Sequence, residues 1–259
     1  LTLWPLSQGE MEGTKEGFID ALFKPNLSLP TTKASSRKDL WRRVAQGGYP
    51  EPLTRARLER RQAWANAYIT AILERDVRDL SNIEGLTQLP RLLNFLAARM
   101  ASLMNFAEIS RSLGMPQTTL KRYLALLEAT FLARRLPPWS GNWGKRLVKA
   151  PKLFLNDTGL AANLLGIDAD RLCADSTLTG PFLESFVGAE LAKQIGWSRI
   201  KPRMYHLRTE AGYEVDIILE DAQGRCVGIE VKSAATVGPG EFKGLKAFEE
   251  ALGKRFLRG

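Results

Sequence analysis

The sequence predicts a mixed α/β protein in which a helical first half precedes a smaller α+β region. Two observations carry this expectation. Apolar residues recur at helical spacing through much of residues 37–135, whereas after residue 176 a helical stretch is followed by three strand-like segments and a further helix. A short last strand completes the order α-β-β-β-α-β. The 259 residues can hold one large domain or two to three small ones.

The charge balance favours a polyanionic partner. Lys and Arg number 37 against 28 Asp and Glu, and the net charge of +9 is typical of proteins that bind nucleic acid, here with DNA as the expected kind. A basic surface that only aids solubility is the alternative. No run of about 18 apolar residues occurs, so no membrane contact is expected. Two cysteines and one His make neither a disulfide framework nor a zinc site, which favours a reducing cytoplasm.

The first part of the chain is expected to be a linker followed by helices. Residues 1–36 are rich in Pro and polar residues, which predicts an irregular linker or the remnant of an upstream core. Residues 37–95 predict a helical connecting region, with a first helix that ends at Gly47. The "YPEPL" segment is expected to be extended or a turn because residues before Pro avoid the α region. Longer helices are predicted over 55–80 and 89–103.

Residues 96–150 predict a winged helix-turn-helix. "FAEISRSL" is a short helix, Gly114 breaks it, "MPQTTLKRYLALLEA" begins a second helix with Pro116 near its first turn, and "FLARRLPPW" reads as a strand. Winged helices also dock proteins, so a protein partner or a second copy of the chain is the alternative to DNA. The residues expected to contact nucleic acid, on the second helix and around the wing, are Gln117, Thr118, Lys121, Arg122, Arg134, Arg135, Lys145 and Arg146.

Residues 151–259 are expected to form the α+β domain. "KLFLNDTGLAANLLG" predicts a buried strand and a helix with Asp157 as its N-cap. Beyond it, "GYEVDIILEDAQGRCVGIEVKSA" reads as a hairpin whose three-residue loop ends at Gly224. This loop would pair Asp216 with Glu230, and Lys232 would share the face of Glu230 because side chains two apart on a strand point the same way.

Opposed carboxylates at Asp216 and Glu230 repel, so their charge must be offset. They could share a proton, one of them could pair with Lys232, or a hard divalent cation could bridge them. The cation explains all three residues at once, since Mg²⁺ or Mn²⁺ would polarise a phosphodiester while Lys232 stabilises the developing charge. A carboxylate of the preceding helix, Glu184 or alternatively Glu190, could complete the site. A solvated strand face with a Lys–Glu pair is the simpler interpretation.

These segments resemble a family of bacterial and archaeal AAA-type ATPases. "FLESFVGAEL", "YHLRTEAGYEVDIIL" and "VGIEVKSA" look like its C-terminal domain, which is similar to the PD-(D/E)xK nucleases, a restriction-endonuclease-like fold. "LWPLSQGEM" resembles the end of the ATPase core, and "GGYPEPL" and "YITAILERDVRDL" resemble its connecting region. The resemblance implies that Asp216, Glu230 and Glu184 bind Mg²⁺ and that Asp216, Glu230 and Lys232 are catalytic.

The sequence departs from this family at the nucleotide site. It contains no Gly-rich loop that ends in Gly-Lys-Ser/Thr, so no nucleotide-binding residues are assigned, and ATP would be a cofactor only with an upstream core. The leading hypothesis is a metal-dependent, nuclease-like domain joined to a nucleic-acid-binding winged helix. The alternative is a non-catalytic DNA-binding or protein-interaction module with a vestigial metal site.

Overall fold

The structure is a computed structural model that describes residues 3–27, 35–76, 88–139, 149–234 and 236–259. It confirms the mixed α/β class, with helices predominant before residue 200 and a four-stranded sheet after it. No helix within the described ranges is long and apolar enough to cross a membrane. The helices of the first part are α1 Gln8–Glu12, α2 Phe18–Leu22, α3 Arg37–Gln46, α4 Pro50–Leu53, α5 Leu58–Ala71 with a π-helical turn Ile72–Asp76, and α6 Leu89–Ala98.

Residues 3–27 are not irregular, so the expected irregular structure of this segment was wrong. Ser7 begins α1 with a reciprocal capping box: its hydroxyl accepts from the Glu10 N–H at 3.1 Å, and its own N–H donates to the Glu10 carboxylate at 2.8 Å. Ile19 of α2 is 1% exposed and packs in the core. Five-residue helices are too short to show an apolar period, which is why the sequence did not reveal them.

The "YPEPL" segment also differs from the expectation. Tyr49 precedes Pro50 and is extended, as the rule for residues before Pro requires, but a turn of helix begins at Pro50 itself. Proline is well suited to the first position of a helix because the N–H that it lacks has no helical partner there. The segment is therefore a short helix, α4, that starts directly after an extended residue.

The helix pair predicted between residues 106 and 129 is present with its glycine turn. Helix α7 covers Phe106–Leu113, Gly114 follows with φ of 64°, and α8 covers Gln117–Ala129. A left-handed glycine ends a helix without the steric penalty of a Cβ. The buried side chains of α8 are Leu120, Tyr123, Leu124 and Leu127.

Two strands join this helix pair to the rest of the chain. Strand β1 (Ala133–Leu136) pairs antiparallel with β2 (Lys152–Leu155), so this ribbon crosses the domain boundary predicted at 150/151. Lys152 lies opposite Leu136 in β1 and also bridges Leu103 on its other side. Helices α9 (Thr158–Leu165), α10 (Ala169–Ala174) and α11 (Ser176–Trp197) follow.

The four-stranded sheet has the order β3-β4-β5-β6, with β6 parallel to β5 and the other neighbours antiparallel. Gly224 has a φ of 74° in the loop between β4 and β5, and Ile217 pairs with Ile229, as the predicted hairpin requires. Strand β5 is shorter than expected, since Glu230 and Lys232 follow its last residue. The elements are β3 Arg203–Arg208, β4 Glu214–Glu220, β5 Cys226–Ile229, α12 Lys243–Leu252 between two 3₁₀ turns (Pro239–Phe242 and Gly253–Arg255), and β6 Phe256–Arg258.

Asp157 caps α9, as predicted, and also fixes the turn after α3. One carboxylate oxygen accepts from the Leu160 N–H at 2.9 Å and the other from the Gly48 N–H at 2.8 Å. The side chain is 4% exposed, and burial raises the pKa of Asp157 above its usual value. One residue therefore joins the start of α9 to a turn 109 positions earlier.

We expect Asp157→Ala to lower the free energy of unfolding by about 2–4 kcal/mol, because it removes a helix cap and leaves the buried Gly48 N–H without an acceptor. Urea denaturation measures this change. The matched control is Asp168→Ala, which removes the exposed N-cap of α10 and should cost about 1 kcal/mol. Equal losses in the two variants would contradict the second role of Asp157.

Candidate functional site

The predicted site is centred on Asp216, a residue of β4 that is 7% exposed. Its Oδ2 accepts from the Val231 N–H at 2.9 Å, directly beyond the end of β5. Its Oδ1 lies 3.0 Å from the amine of Lys152. Both oxygens of this carboxylate are therefore engaged by other groups of the protein.

Lys152 is the residue that the sequence analysis missed. Its side chain is 1% exposed, and its Nζ contacts Glu184 Oε1 at 2.8 Å and Glu214 Oε1 at 3.0 Å, in addition to Asp216. The amine donates hydrogen bonds to Glu184 and Asp216, and Glu214 is its third partner through an ion pair. The only sequence signal was a lysine at the start of an otherwise apolar strand, "KLFL", which is also what an ordinary strand edge looks like.

The electrostatics of this cluster follow from burial and opposite charge. Burial opposes the charge of Lys152, but the attraction of Glu184, Asp216 and Glu214 outweighs it and raises the pKa of the amine above its usual value. For Glu184, burial dominates and raises the pKa to about 8, against the opposing attraction of Lys152. The cluster therefore contains a positively charged lysine that is shared by three carboxylates.

Glu230 and Lys232 form a separate pair at the edge of this cluster. Lys232 Nζ donates to Glu230 Oε1 at 2.7 Å, and 32% of the lysine side chain is exposed. Glu230 Oε2 is buried and has no hydrogen-bond partner among the described residues. Burial and then the charge of Asp216 raise the pKa of Glu230. The predicted repulsion between Asp216 and Glu230 is thus offset by two lysines, one for each carboxylate.

The Mg²⁺ ion implied by the resemblance does not fit this arrangement. The amine of Lys152 lies at hydrogen-bond distance from Asp216 and Glu184, two of the three predicted ligands, and Lys232 binds the third. Mg²⁺ needs oxygens at about 2.0–2.1 Å around a position free of other cations. Within the described ranges, no group of three His, Cys, Asp or Glu side chains is placed to hold a metal ion.

The alternative helix carboxylate, Glu190, belongs to a different contact. It pairs with Lys193 at 2.7 Å and accepts from the Gln8 N–H at 2.8 Å. It therefore ties α11 to the start of α1. Glu184 is the helix residue that the fold brings to Asp216.

The second predicted site lies on α8. Four of the expected nucleic-acid contacts are exposed on this helix: Gln117, Thr118, Lys121 and Arg122. Lys121 Nζ lies 5.7 Å from the centre of the Phe106 ring, a contact that leaves its charge in place. These residues share one accessible face.

The arginines of β1 do not belong to that face. Arg135 pairs with Glu128 through its Nε at 2.8 Å and through its Nη2. Arg134 packs against the rings of Trp4 and Phe154, and its Nε and Nη2 are buried without a hydrogen-bond partner in the described ranges. Burial lowers the pKa of Arg134 to about 10. Lys145 and Arg146 lie outside the described residues.

Two family models match the chain in separate regions. A domain of unknown function, DUF8612, matches residues 37–171, and a second domain of unknown function, DUF4143, matches residues 179–259. Lys152 thus lies in the first region and its three carboxylate partners lie in the second. The contacts of Lys152 are therefore contacts between the two matched regions.

Two curated proteins are similar to most of the chain. They are "Uncharacterized protein Mb2031c" of Mycobacterium bovis and "Uncharacterized protein Rv2008c" of Mycobacterium tuberculosis, each 35% identical over 221 residues. The match covers 85% of this chain and 48% of each relative, so the chain spans about half of their length. No solved structure gives a significant match.

The buried His206 makes the stability of the fold sensitive to acid. Burial and the charge of Lys152 lower the pKa of His206 to about 4, so its neutral form stabilises the fold. This stability is complete above the unfolded pKa of about 6.5 and is lost as the pH falls towards the folded value. We expect wild type to lose about 2 kcal/mol more stability than His206→Gln between pH 7 and pH 4.5 in urea denaturation. Since the sequence has one His, no other imidazole contributes, and parallel losses would contradict the assignment.

Proposed function

We propose that this chain, which belongs to the DUF8612 family, binds DNA through the exposed face of helix α8. The observation that carries the proposal is the distribution of charge around the α7–α8 pair. Arg111, Lys121 and Arg122 are exposed and form no ion pair with a described residue. Free basic side chains on a helix that follows a turn are suited to phosphate contacts.

The acidic residues of this segment are already paired. Residues 105–136 contain five Lys and Arg and two Asp and Glu. Glu108 pairs with Arg99 at 2.8 Å, and Glu128 pairs with Arg135. The positive charges of Lys121 and Arg122 on the exposed face of α8 are therefore not neutralised by these carboxylates. An anion approaching this face of α8 meets the free cations Lys121 and Arg122, and neither helix offers a free carboxylate.

The geometry of α8 supports contact with a groove. A helix of 13 residues is about 20 Å long, and the major groove of B-DNA is wide enough to admit it. Gln117 and Thr118 lie in its first turn, which is the part of a recognition helix that meets base edges. Lys121 and Arg122 lie one turn later and are suited to the flanking phosphates. The winged-helix interpretation of this region belongs to the same proposal.

We assign no catalytic role to the carboxylate cluster in this proposal, because Lys152 and Lys232 neutralise the residues that would bind metal. The nuclease-like domain would then serve as a scaffold for the DNA-binding helix pair. The resemblance to AAA-type ATPases extends the proposal, since the chain would act as the DNA-binding part of such an ATPase. ATP hydrolysis by this chain is not proposed, because its sequence lacks a phosphate-binding loop.

Metal-dependent phosphodiester hydrolysis is the second candidate function. It is favoured by one observation: Glu230 Oε2 is buried beside Asp216 without a partner among the described residues. Buried carboxylate oxygens normally have a donor or a cation. This candidate requires that Lys152 leave the carboxylates, and Asp216, Glu230 and Lys232 would then be its catalytic residues.

We expect the affinity for duplex DNA to fall steeply with salt and Lys121→Ala to weaken binding by about three- to tenfold for every sequence tested. The slope of log K against log[salt] should decrease in magnitude by about 0.9, since one phosphate contact is lost. Fluorescence anisotropy at several salt concentrations measures both quantities. Arg134→Met is the matched control, because the Nε and Nη2 atoms of this arginine are buried and its loss should leave the affinity unchanged. Binding that is insensitive to salt, or equal effects of the two variants, would favour a protein-docking role instead.

We expect neither wild type nor Asp216→Ala to nick supercoiled DNA with Mg²⁺ or Mn²⁺, because Lys152 occupies the contacts that a metal would need. Gel analysis of plasmid nicking over a range of metal concentrations checks this. Nicking by wild type that Asp216→Ala abolishes would replace the non-catalytic proposal with the second candidate.

A further inference from the structure

We infer that Lys152 is the resident cation of the acidic cluster, and that its amine stands where a divalent metal would otherwise bind and holds the two family-matched regions together. The inference concerns Glu184, Glu214 and Asp216, and it is independent of DNA binding by α8. It follows from the contacts of the amine, from its anchoring in the sheet and from the origin of its partners.

The amine contacts three carboxylates. Its three partners lie at 2.8, 3.0 and 3.0 Å, one from α11 and two from β4. The remaining oxygens of two partners are also occupied, since Glu214 Oε2 accepts from Arg208 at 2.6 Å and Asp216 Oδ2 accepts from Val231 at 2.9 Å. Two hydrogen bonds and a third ion pair therefore hold the amine among the carboxylates.

The backbone of Lys152 prevents a simple retreat of the side chain. Lys152 pairs with Leu136 on one side and bridges Leu103 on the other. Its side chain is 1% exposed, so withdrawal of the amine would require β2 to move. A mobile surface lysine could give way to a metal ion, but a buried lysine whose backbone is paired on both sides cannot do so at low cost.

The partners of Lys152 come from the other matched region. Lys152 lies within residues 37–171, whereas Glu184, Glu214 and Asp216 lie within residues 179–259. A buried charge whose partner is removed is strongly destabilising, so the contacts of Lys152 make the charge balance of each region depend on the other. The cluster therefore specifies how the β1–β2 ribbon, which follows α8, packs against the four-stranded sheet.

Removal of the amine should leave a position suited to a hard cation. Each of the three oxygens lies within 3.0 Å of Nζ, so no two of them are farther apart than twice that distance. A small inward movement of the three oxygens would bring them within about 2.0–2.6 Å of a central ion, the distance at which divalent cations bind oxygen. Wild type supplies one positive charge to these oxygens, and a divalent ion would supply two.

The test compares Lys152→Met with wild type in Mn²⁺ binding, followed by electron paramagnetic resonance, and in thermal unfolding. We expect wild type to bind no Mn²⁺ at this cluster and to melt at the same temperature with and without MnCl₂. Lys152→Met should melt at least about 6 °C below wild type without metal. Saturating MnCl₂ should raise the melting temperature of Lys152→Met by about 3 °C or more. Electron paramagnetic resonance should detect Mn²⁺ bound to the same variant.

Two variants control for the loss of a buried lysine and for the identity of the ligands. Lys193 is 3% exposed and pairs with the single carboxylate Glu190, so Lys193→Met should lower the melting temperature without creating a Mn²⁺ response. Lys152→Met combined with Asp216→Asn should melt above Lys152→Met without metal and should not respond to Mn²⁺. If Lys152→Met does not fold in metal-free buffer, it should be recovered by refolding with MnCl₂.

Several results would overturn the inference. Wild type that binds Mn²⁺ in a manner abolished by Asp216→Asn would show that metal displaces the amine. A folded Lys152→Met that ignores Mn²⁺, or one that melts like wild type, would remove the role of Lys152 as the resident cation. An unfolded Lys152→Met that MnCl₂ does not recover would do the same.

Discussion

The convergence of four carboxylates, each at least half-buried, in one corner of the fold is the constraint on which the rest of this structure depends. Glu184, Glu214, Asp216 and Glu230 converge from α11, β4 and the segment after β5. Without partners, such charges would strongly destabilise the fold. Lys152, Lys232 and Arg208 neutralise them through contacts of 2.6–3.0 Å. Because Lys152 comes from the ribbon that follows α8, this neutralisation also decides where the helix pair lies relative to the sheet.

This arrangement separates the two kinds of charged surface. The carboxylates turn inward and are neutralised there, whereas the free basic residues of α7 and α8 turn outward. A protein that held metal at the cluster would need to release Lys152 first, but a protein that binds DNA through α8 needs no such change. The position of the Lys152 amine therefore argues against a ready catalytic site, whereas the proposal of DNA binding rests separately on the free basic residues of α7 and α8.

Local patterns were sufficient to predict much of this structure. Gly114 and Gly224 marked a helix end and a hairpin turn, because left-handed backbone favours glycine wherever it occurs. Asp157 was predicted as a cap from its place before an apolar helix. Lys152 could not be found in this way, because its partners lie 32 to 64 positions away and the lysine itself sits in an ordinary apolar strand. The packing of Arg134 against Trp4 and Phe154 was missed for the same reason, since both rings are distant from it in sequence.

Three buried charged residues join distant parts of the chain in the same manner. Lys193 of α11 donates to the Leu6 carbonyl at 2.9 Å, Asp157 accepts from Gly48, and Lys152 binds its three carboxylates. Apolar contacts favour burial but tolerate small shifts in register, whereas a buried charge displaced from its partner is left unpaired at a cost of several kcal/mol, about 3–5 in measured cases. The apolar clusters therefore make the segments associate, and these charged contacts select one arrangement among the packings that burial alone would allow.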